Sequence, residues 1–184
     1  MKKLIIAGLA LAALTALPSC LGNDEPDDDV KAWRDRNVEF VEAKAAEKDA
    51  AGTPVYERVT AAWDPSAYVL MRWHNDRSKT QGELMPLSNS TVDCKYQLTN
   101  IDGKMLDNSY SRTQPADSTF RTRLNQNIVG WVMAVTNMHV GDSCTVIVPW
   151  QQGYGSTATL AVPAYSTLIF GIKLTAIPGY EKQP

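Results

Sequence analysis

At 184 residues the chain has room for one domain and an extension, and 44% hydrophobic with 21% charged residues is ordinary for a globular fold. A formal net charge of −2, with no basic patch interleaved with aromatics, argues against a nucleic-acid partner. No CxxC and no Cys/His spacing suggests a metal or redox centre, so no metal and no cofactor is implied.

Residues 1–19 read as a signal peptide: Lys2 and Lys3 precede "LIIAGLALAAL", an apolar run too short for a comfortable membrane span. The run ends at "LPSC" (17–20), which resembles the lipobox of bacterial lipoproteins. That resemblance implies lipidation of Cys20 after cleavage, and several acyl chains would make a stable anchor; a plain secretory signal is the alternative. Leu21, rather than aspartate, after the cysteine fits lipid anchoring to the outer membrane by the same resemblance. Residues 20–29 hold five acidic residues between Asp24 and Asp29 and read as a solvated acidic tether, with a surface-export signal as the other reading. The orientation, periplasm or cell surface, stays open.

Residues 28–49 carry a helical pattern, capped by Asp28 or Asp29, with Val30, Trp33, Phe40, Val41 and Ala45 on one stripe and Asn37 interrupting it. Gly52 and Pro54 end this N-terminal helical extension (30–53). Two uses are open: a homodimer arm or client handle through residues 30–49, or packing against its own domain.

From Pro54 the signals turn to β, and residues 54–184 form the main domain. "PVYERV" (54–59) and "YVLMRWH" (68–74) are strand candidates, and 75–90 reads as loop. "TVDCKYQLT" (91–99) alternates, with Val92, Cys94, Tyr96 and Leu98 inward and Asp93, Lys95 and Gln97 outward. Asp102-Gly103 is a hairpin signal; "MLDNSYSRTQPADS" (105–118) reads as loop and "FRTRL" (120–124) as a short strand. Ile128, Trp131, Val135 and Met138 recur at helical spacing within 126–141, with Gly141 as the stop. "SCTVIVP" (143–149) and "STLIFGIKLTAI" (166–177) alternate again around a long loop. The fold class is therefore α+β, a curved antiparallel sheet packed on one short helix. Cys94 and Cys144 occupy inward strand positions and favour two core thiols over a disulfide. His139 reads as a cation near the helix C-terminus rather than as a base.

Nothing supports covalent or acid–base catalysis: GxSxG, HExxH and phosphate-loop patterns are absent from the sequence. What remains is a set of aromatic and apolar residues suited to an apolar pocket. In order and spacing, "YQLTNIDGKMLDNS", "NIVGWVMAVTNMHVGD", "VPWQQGYG" and "VPAYSTLIFGIKLTAI" resemble the four signature segments of the FKBP-type peptidyl-prolyl cis-trans isomerases. The resemblance covers roughly 91–177 and implies an FKBP-like sheet wrapped on the helix, with the N-terminal extension typical of bacterial envelope forms.

Carried over residue by residue, the resemblance implies a pocket built from Tyr96, Asp107, Trp131, Tyr154 and Phe170, with Leu106, Ile128 and Val162 as further substrate contacts. Arg112 lies at the spacing of the aspartate's usual arginine partner. Leu106 stands for a phenylalanine, Asn127 for a valine, Gly153 for an alanine and Ala164 for a proline. Of two upstream phenylalanines, Phe120 is kept and Thr122 replaces the other.

The implied activity is isomerisation of X–Pro bonds in envelope or secreted proteins, with a proline-containing peptide or unfolded client as partner. The proline ring would sit on Trp131 between Tyr96 and Phe170. Tyr154 and the backbone near Ile128 would hold flanking carbonyls, and Asp107 would face the twisting carbonyl. Gly130 is expected to let the helix start approach a ligand. The rival is a non-catalytic FKBP-fold binding module or holdase chaperone with a degenerate pocket.

Overall fold

The computed structural model describes residues 27–179. The expected signal peptide, Cys20 and all of the tether before Asp27 lie outside the described residues. Among those described, no helix is long and apolar enough to cross a membrane.

Helix α1 runs Asp28–Ala46. Its N-cap is Asp27, without a side-chain cap bond, so Asp28 and Asp29 are not caps. They lie in the first turn, where their charge suits the positive end of the helix dipole. The helix stops three residues short of the expected 49 because Glu47 turns extended. Asp49 Oδ1 then accepts the N–H groups of Ala51 and Thr53 around Gly52 at φ 82°.

Seven antiparallel strands follow: β1 Glu57–Ala61, β2 Asp64–Trp73, β3 Thr91–Thr99, β4 Met105–Asn108, β5 Phe120–Arg123, β6 Ser143–Val148 and β7 Leu168–Ala176. Their order is β1-β2-β6-β7-β3-β4, with β5 also pairing β3. β3 keeps its expected ends; β2 begins four residues before the expected Tyr68. Within the expected 105–118 loop lies β4, a four-residue strand pairing Gln97 with Asn108 and Leu98 with Asp107. Asp93, expected on the wet face, is buried because Arg121 from β5 grips its carboxylate with two bonds of 2.7 Å.

Helix α2 is Val129–Val135, seven residues rather than sixteen. Before it, Leu124–Gln126 form a 3-10 turn and Asn127 is extended. After it, Thr136 Oγ1 and Asn137 Nδ2 donate back to the carbonyls of Val132 and Met133, so side chains cap the last turn. Met138 remains fully buried beyond the helix, and Gly141 adopts φ 98°.

Alternation along β2 and β6 divides the core between two faces of the sheet. Val69, Met71, Val146 and Val148 face α2 together with Trp131, Val135 and Phe170. Leu70 and Ile147 point the other way, onto Val41 and Tyr56, with Phe40 packed beside them. Thus α1 covers one face of the sheet and α2 the other. Of the stripe on 28–49, Val41 is buried against the chain's own domain and Val30, Trp33 and Phe40 are half-buried, whereas Ala45 is exposed.

Cys94 and Cys144 are free, buried thiols. Cys94 pairs with Leu174 and Cys144 with Ile172, on opposite sides of β7. Two strand spacings, about 9.6 Å, exceed the reach of a disulfide.

Candidate functional site

A cavity of about 270 Å³ opens between α2, β3 and the loop after β6. Trp131 is nearly fully buried at its floor. The ring centroids of Tyr96 and Phe170 lie 5.3 and 5.1 Å from that of Trp131, both edge-on, and Phe120 closes the group 5.3 Å from Tyr96. Edge-to-face packing at these distances adds to burial and fixes each ring's tilt. Three strands, β3, β5 and β7, and helix α2 hold these rings, so the apolar wall is rigid. The buried indole Nε1 of Trp131 has no hydrogen-bond partner.

One polar relationship crosses this wall. Tyr96 Oη donates to Asp107 Oδ2 over 2.5 Å. Burial pushes the phenol up to about 12, reinforced by its bond to the Asp107 carboxylate and partly opposed by Arg112. Arg112 holds its guanidinium 4.8 Å from the centre of the Phe120 ring. The bond that Asp107 Oδ2 accepts therefore comes from Tyr96, and the arginine expected as its ion-pair partner stacks on an aromatic face.

At the rim stand Asn127, Ile128 and Tyr154. Tyr154, 43% exposed, follows a 3-10 turn at Trp150–Gln152 and precedes Gly155 at φ 65°. Asn127 Nδ2 donates to Thr122 Oγ1 and to the carbonyls of Arg123 and Leu124, at 2.9–3.2 Å. One carboxamide thereby fastens the turn that leads into α2.

The structure gathers Tyr96, Asp107, Ile128, Trp131, Tyr154 and Phe170 around the cavity. Leu106 and Val162 do not line it. A register shift between Leu98 and Thr99 leaves Leu106 as an extra residue in β4, packed on the core. Val162 is buried in the same core, its N–H taken by Thr159 Oγ1. Gly130 needs correction too. A Cβ there would lie 2.3 Å from Val148 Cγ1, so the missing side chain serves helix-to-strand packing inside the core, and Gly130 does not line the cavity. Sequence reasoning missed Leu98 and Gln126 as lining residues. Leu98 was signalled, two positions beyond Tyr96 on the inward face of β3; Gln126 had no periodic signal.

His139 lies beyond α2, its backbone N–H donating to Asp142 Oδ2. Asp142 is fully buried, and burial alone would raise its carboxyl. Bonds from Thr80, His139 and Asn75, with the Arg77 charge, outweigh burial and hold it below the usual range. This cluster stands apart from the cavity and ties the 75–80 segment to the end of α2.

The lining of the cavity is thus an aromatic cup on an antiparallel sheet, closed by a short helix, with no nucleophile–base pair among its residues. Residues 82–175 match the family model of the FKBP-type peptidyl-prolyl cis-trans isomerases, and the chain belongs to that family. It is 35% identical over 89 residues to FkpA, an FKBP-type peptidyl-prolyl cis-trans isomerase of Escherichia coli, covering 48% of this chain and 32% of that one. It is 36% identical to FK506-binding protein 2 of Debaryomyces hansenii, over 50% of this chain and 66% of the relative. Among solved structures, a peptidyl-prolyl cis-trans isomerase of Pseudomonas syringae superposes with a TM-score of 0.63 at 25% identity, over 83% of this chain and 98% of the other. Escherichia coli FkpA superposes with a TM-score of 0.64 at 26% identity, over 81% and 61%. The aligned region spans about a third of the length of the FkpA relative.

Proposed function

We propose that the chain is a peptidyl-prolyl cis-trans isomerase that acts on X–Pro bonds through the Trp131 cavity, without covalent catalysis. The observation that carries this reading is the aromatic cup of Trp131, Tyr96 and Phe170 in a member of the isomerase family.

Rotation about the X–Pro bond is slow because amide resonance must be broken, a barrier of about 20 kcal/mol. The twisted amide has less charge separation than the planar one, so a dry apolar cup favours it over the ground state. The proline ring packs on Trp131 between Tyr96 and Phe170. Tyr154 and the backbone at Ile128 hold flanking carbonyls, and the Tyr96–Asp107 pair faces the twisting group. Lowering the barrier by about 7 kcal/mol corresponds to roughly a 10⁵-fold acceleration.

The substrates fit the cell envelope, because the N-terminal residues carry an export pattern and Cys20 a lipidation pattern, here placed at the outer membrane. The client is a proline-containing peptide or an unfolded protein. The rival, a non-catalytic module or holdase with a pocket degenerate through Leu106 and the 28–49 helix as client grip, draws less support from that helix, since Val41 packs on the chain's own domain.

Exchange NMR on a short Ala-Pro peptide tests the proposal. Catalytic amounts of the chain should produce cis–trans exchange cross-peaks absent from peptide alone, and peptide in excess should shift the indole signal of Trp131. A shifted indole without exchange would mark a binding module instead.

A further inference from the structure

Asn37 is a polar residue with no exposed surface in the middle of a surface helix, a placement helix propensity does not explain. Its Oδ1 accepts the N–H of Thr167 at 2.7 Å and its Nδ2 donates to Trp33 O at 2.8 Å. One turn earlier, Trp33 Nε1 donates to Ser166 Oγ at 3.1 Å, and that hydroxyl donates on to Pro163 O. Arg34 lies 5.8 Å from the centre of the Tyr165 ring. Three successive residues, 165–167, are therefore held from α1 across some 130 positions of sequence.

These residues are joined to the cavity. Tyr165 N–H donates to Gly155 O at 2.9 Å, and its ring meets Trp150 edge-on at 5.0 Å. Gly155 N–H in turn donates to Trp150 O. Between Trp150 and Gly155 sits Tyr154, the rim residue of the cup. Tyr165 itself is at φ 58°, a conformation that a bulky residue keeps only when its surroundings hold it. The surroundings on one side are the helix α1.

We propose that α1 braces the Tyr154 wall of the cavity, with Asn37 as the positioning residue that ties the helix to the 153–167 loop. The proposal rests on the reading of the cavity as a proline-peptide site, and it gives the N-terminal extension a role in substrate binding. Because Trp131 and Phe170 are carried by α2 and β7, loosening the brace moves the rim and leaves the floor in place. The effect should therefore fall on KM, with kcat nearly unchanged.

The test uses the full chain with Asn37→Ala, Trp33→Phe and, as a control on the exposed side of α1, Glu39→Ala. Asn37→Ala should raise KM for a proline peptide on the order of five-fold, with kcat within about two-fold. Amide exchange at Gly155 and Tyr165 should quicken by about ten-fold or more, with the β3 amides unchanged. Trp33→Phe, which keeps the apolar bulk and removes one bond, should move both readouts the same way by less, and it decides the matter if Asn37→Ala does not fold. Glu39→Ala should match the parent. The proposal is overturned if both docking variants keep parental loop exchange and parental KM. If the parent chain shows no isomerisation, the functional reading fails by itself, and loop exchange alone decides whether α1 is a brace.

Discussion

Asn127 Nδ2 and Thr122 Oγ1 are hydrogen-bonded at 3.0 Å across the turn that leads into α2. Both positions depart from the family's usual residues, valine and phenylalanine, so two departures that look independent in sequence form one contact. A polar pair thus links the cavity-lining Asn127 to β5, and the same carboxamide also holds the carbonyls of Arg123 and Leu124. Restoring one family residue alone should therefore hurt.

Asn127→Val should destabilise the fold by about 1–2 kcal/mol, since it frees several acceptors at a partly buried turn. Thr122→Val should cost less. Urea unfolding of the two single variants, the double variant and the parent should yield a coupling of about 0.5–1 kcal/mol between the positions. Additive effects would mean that the Thr122 bond contributes nothing.

Gly130 supplies a second prediction. Replacing a helical glycine by alanine ordinarily stabilises by roughly 0.5–1 kcal/mol. Here the new Cβ would meet Val148 Cγ1 at 2.3 Å and Cγ2 at 2.9 Å, in a buried part of the core. Gly130→Ala should instead destabilise by about 1–3 kcal/mol, and adding Val148→Ala should recover part of that loss. Unchanged thermal stability with weakened peptide binding would restore the view that Gly130 faces the ligand.

The Tyr96 phenol gives a pH signature. Its folded-state value is pushed up to about 12 from an ordinary 10.0, by burial first and then by the bond to Asp107. A group raised on folding lends stability that is complete below its unfolded value and disappears as pH climbs through its folded value. Stability owed to Tyr96 should thus be full below pH 10 and fade toward pH 12. Ultraviolet titration should show a late tyrosine that vanishes in Tyr96→Phe. An early titration of every tyrosine would contradict the packing of the cup.

How much of this was legible from residues alone depended on how local each signal was. β3 and β7 could be read because both alternate over nine residues, and their pairing, Tyr96 opposite Ile172, puts the two inward faces together. β4 escaped notice because it has four residues and ends in an Asp-Asn pair that reads as loop. Helix α2 was overextended since Met138 keeps helical spacing although Thr136 and Asn137 have already closed the last turn. The cup aromatics were found through motif order, since each taken alone would suit a core. The docking of α1 could not be read: Asn37 looked like a break in a stripe, and its partner Thr167 lies 130 residues away. Leu106 and Val162 matched by position, but a one-residue register shift set Leu106 against the core and a local turn buried Val162 in it.

The most direct test of the account is a protease-coupled proline-peptide assay on residues 20–184. It should run beside a Trp131→Ala, Phe170→Ala double variant whose folding is checked by circular dichroism. Isomerisation by the parent should exceed the uncatalysed rate by orders of magnitude, and the folded double variant should lose at least about a hundred-fold, some 2.7 kcal/mol of transition-state stabilisation. A parent no faster than the folded double variant would contradict the claim that the Trp131 cup catalyses rotation about X–Pro bonds.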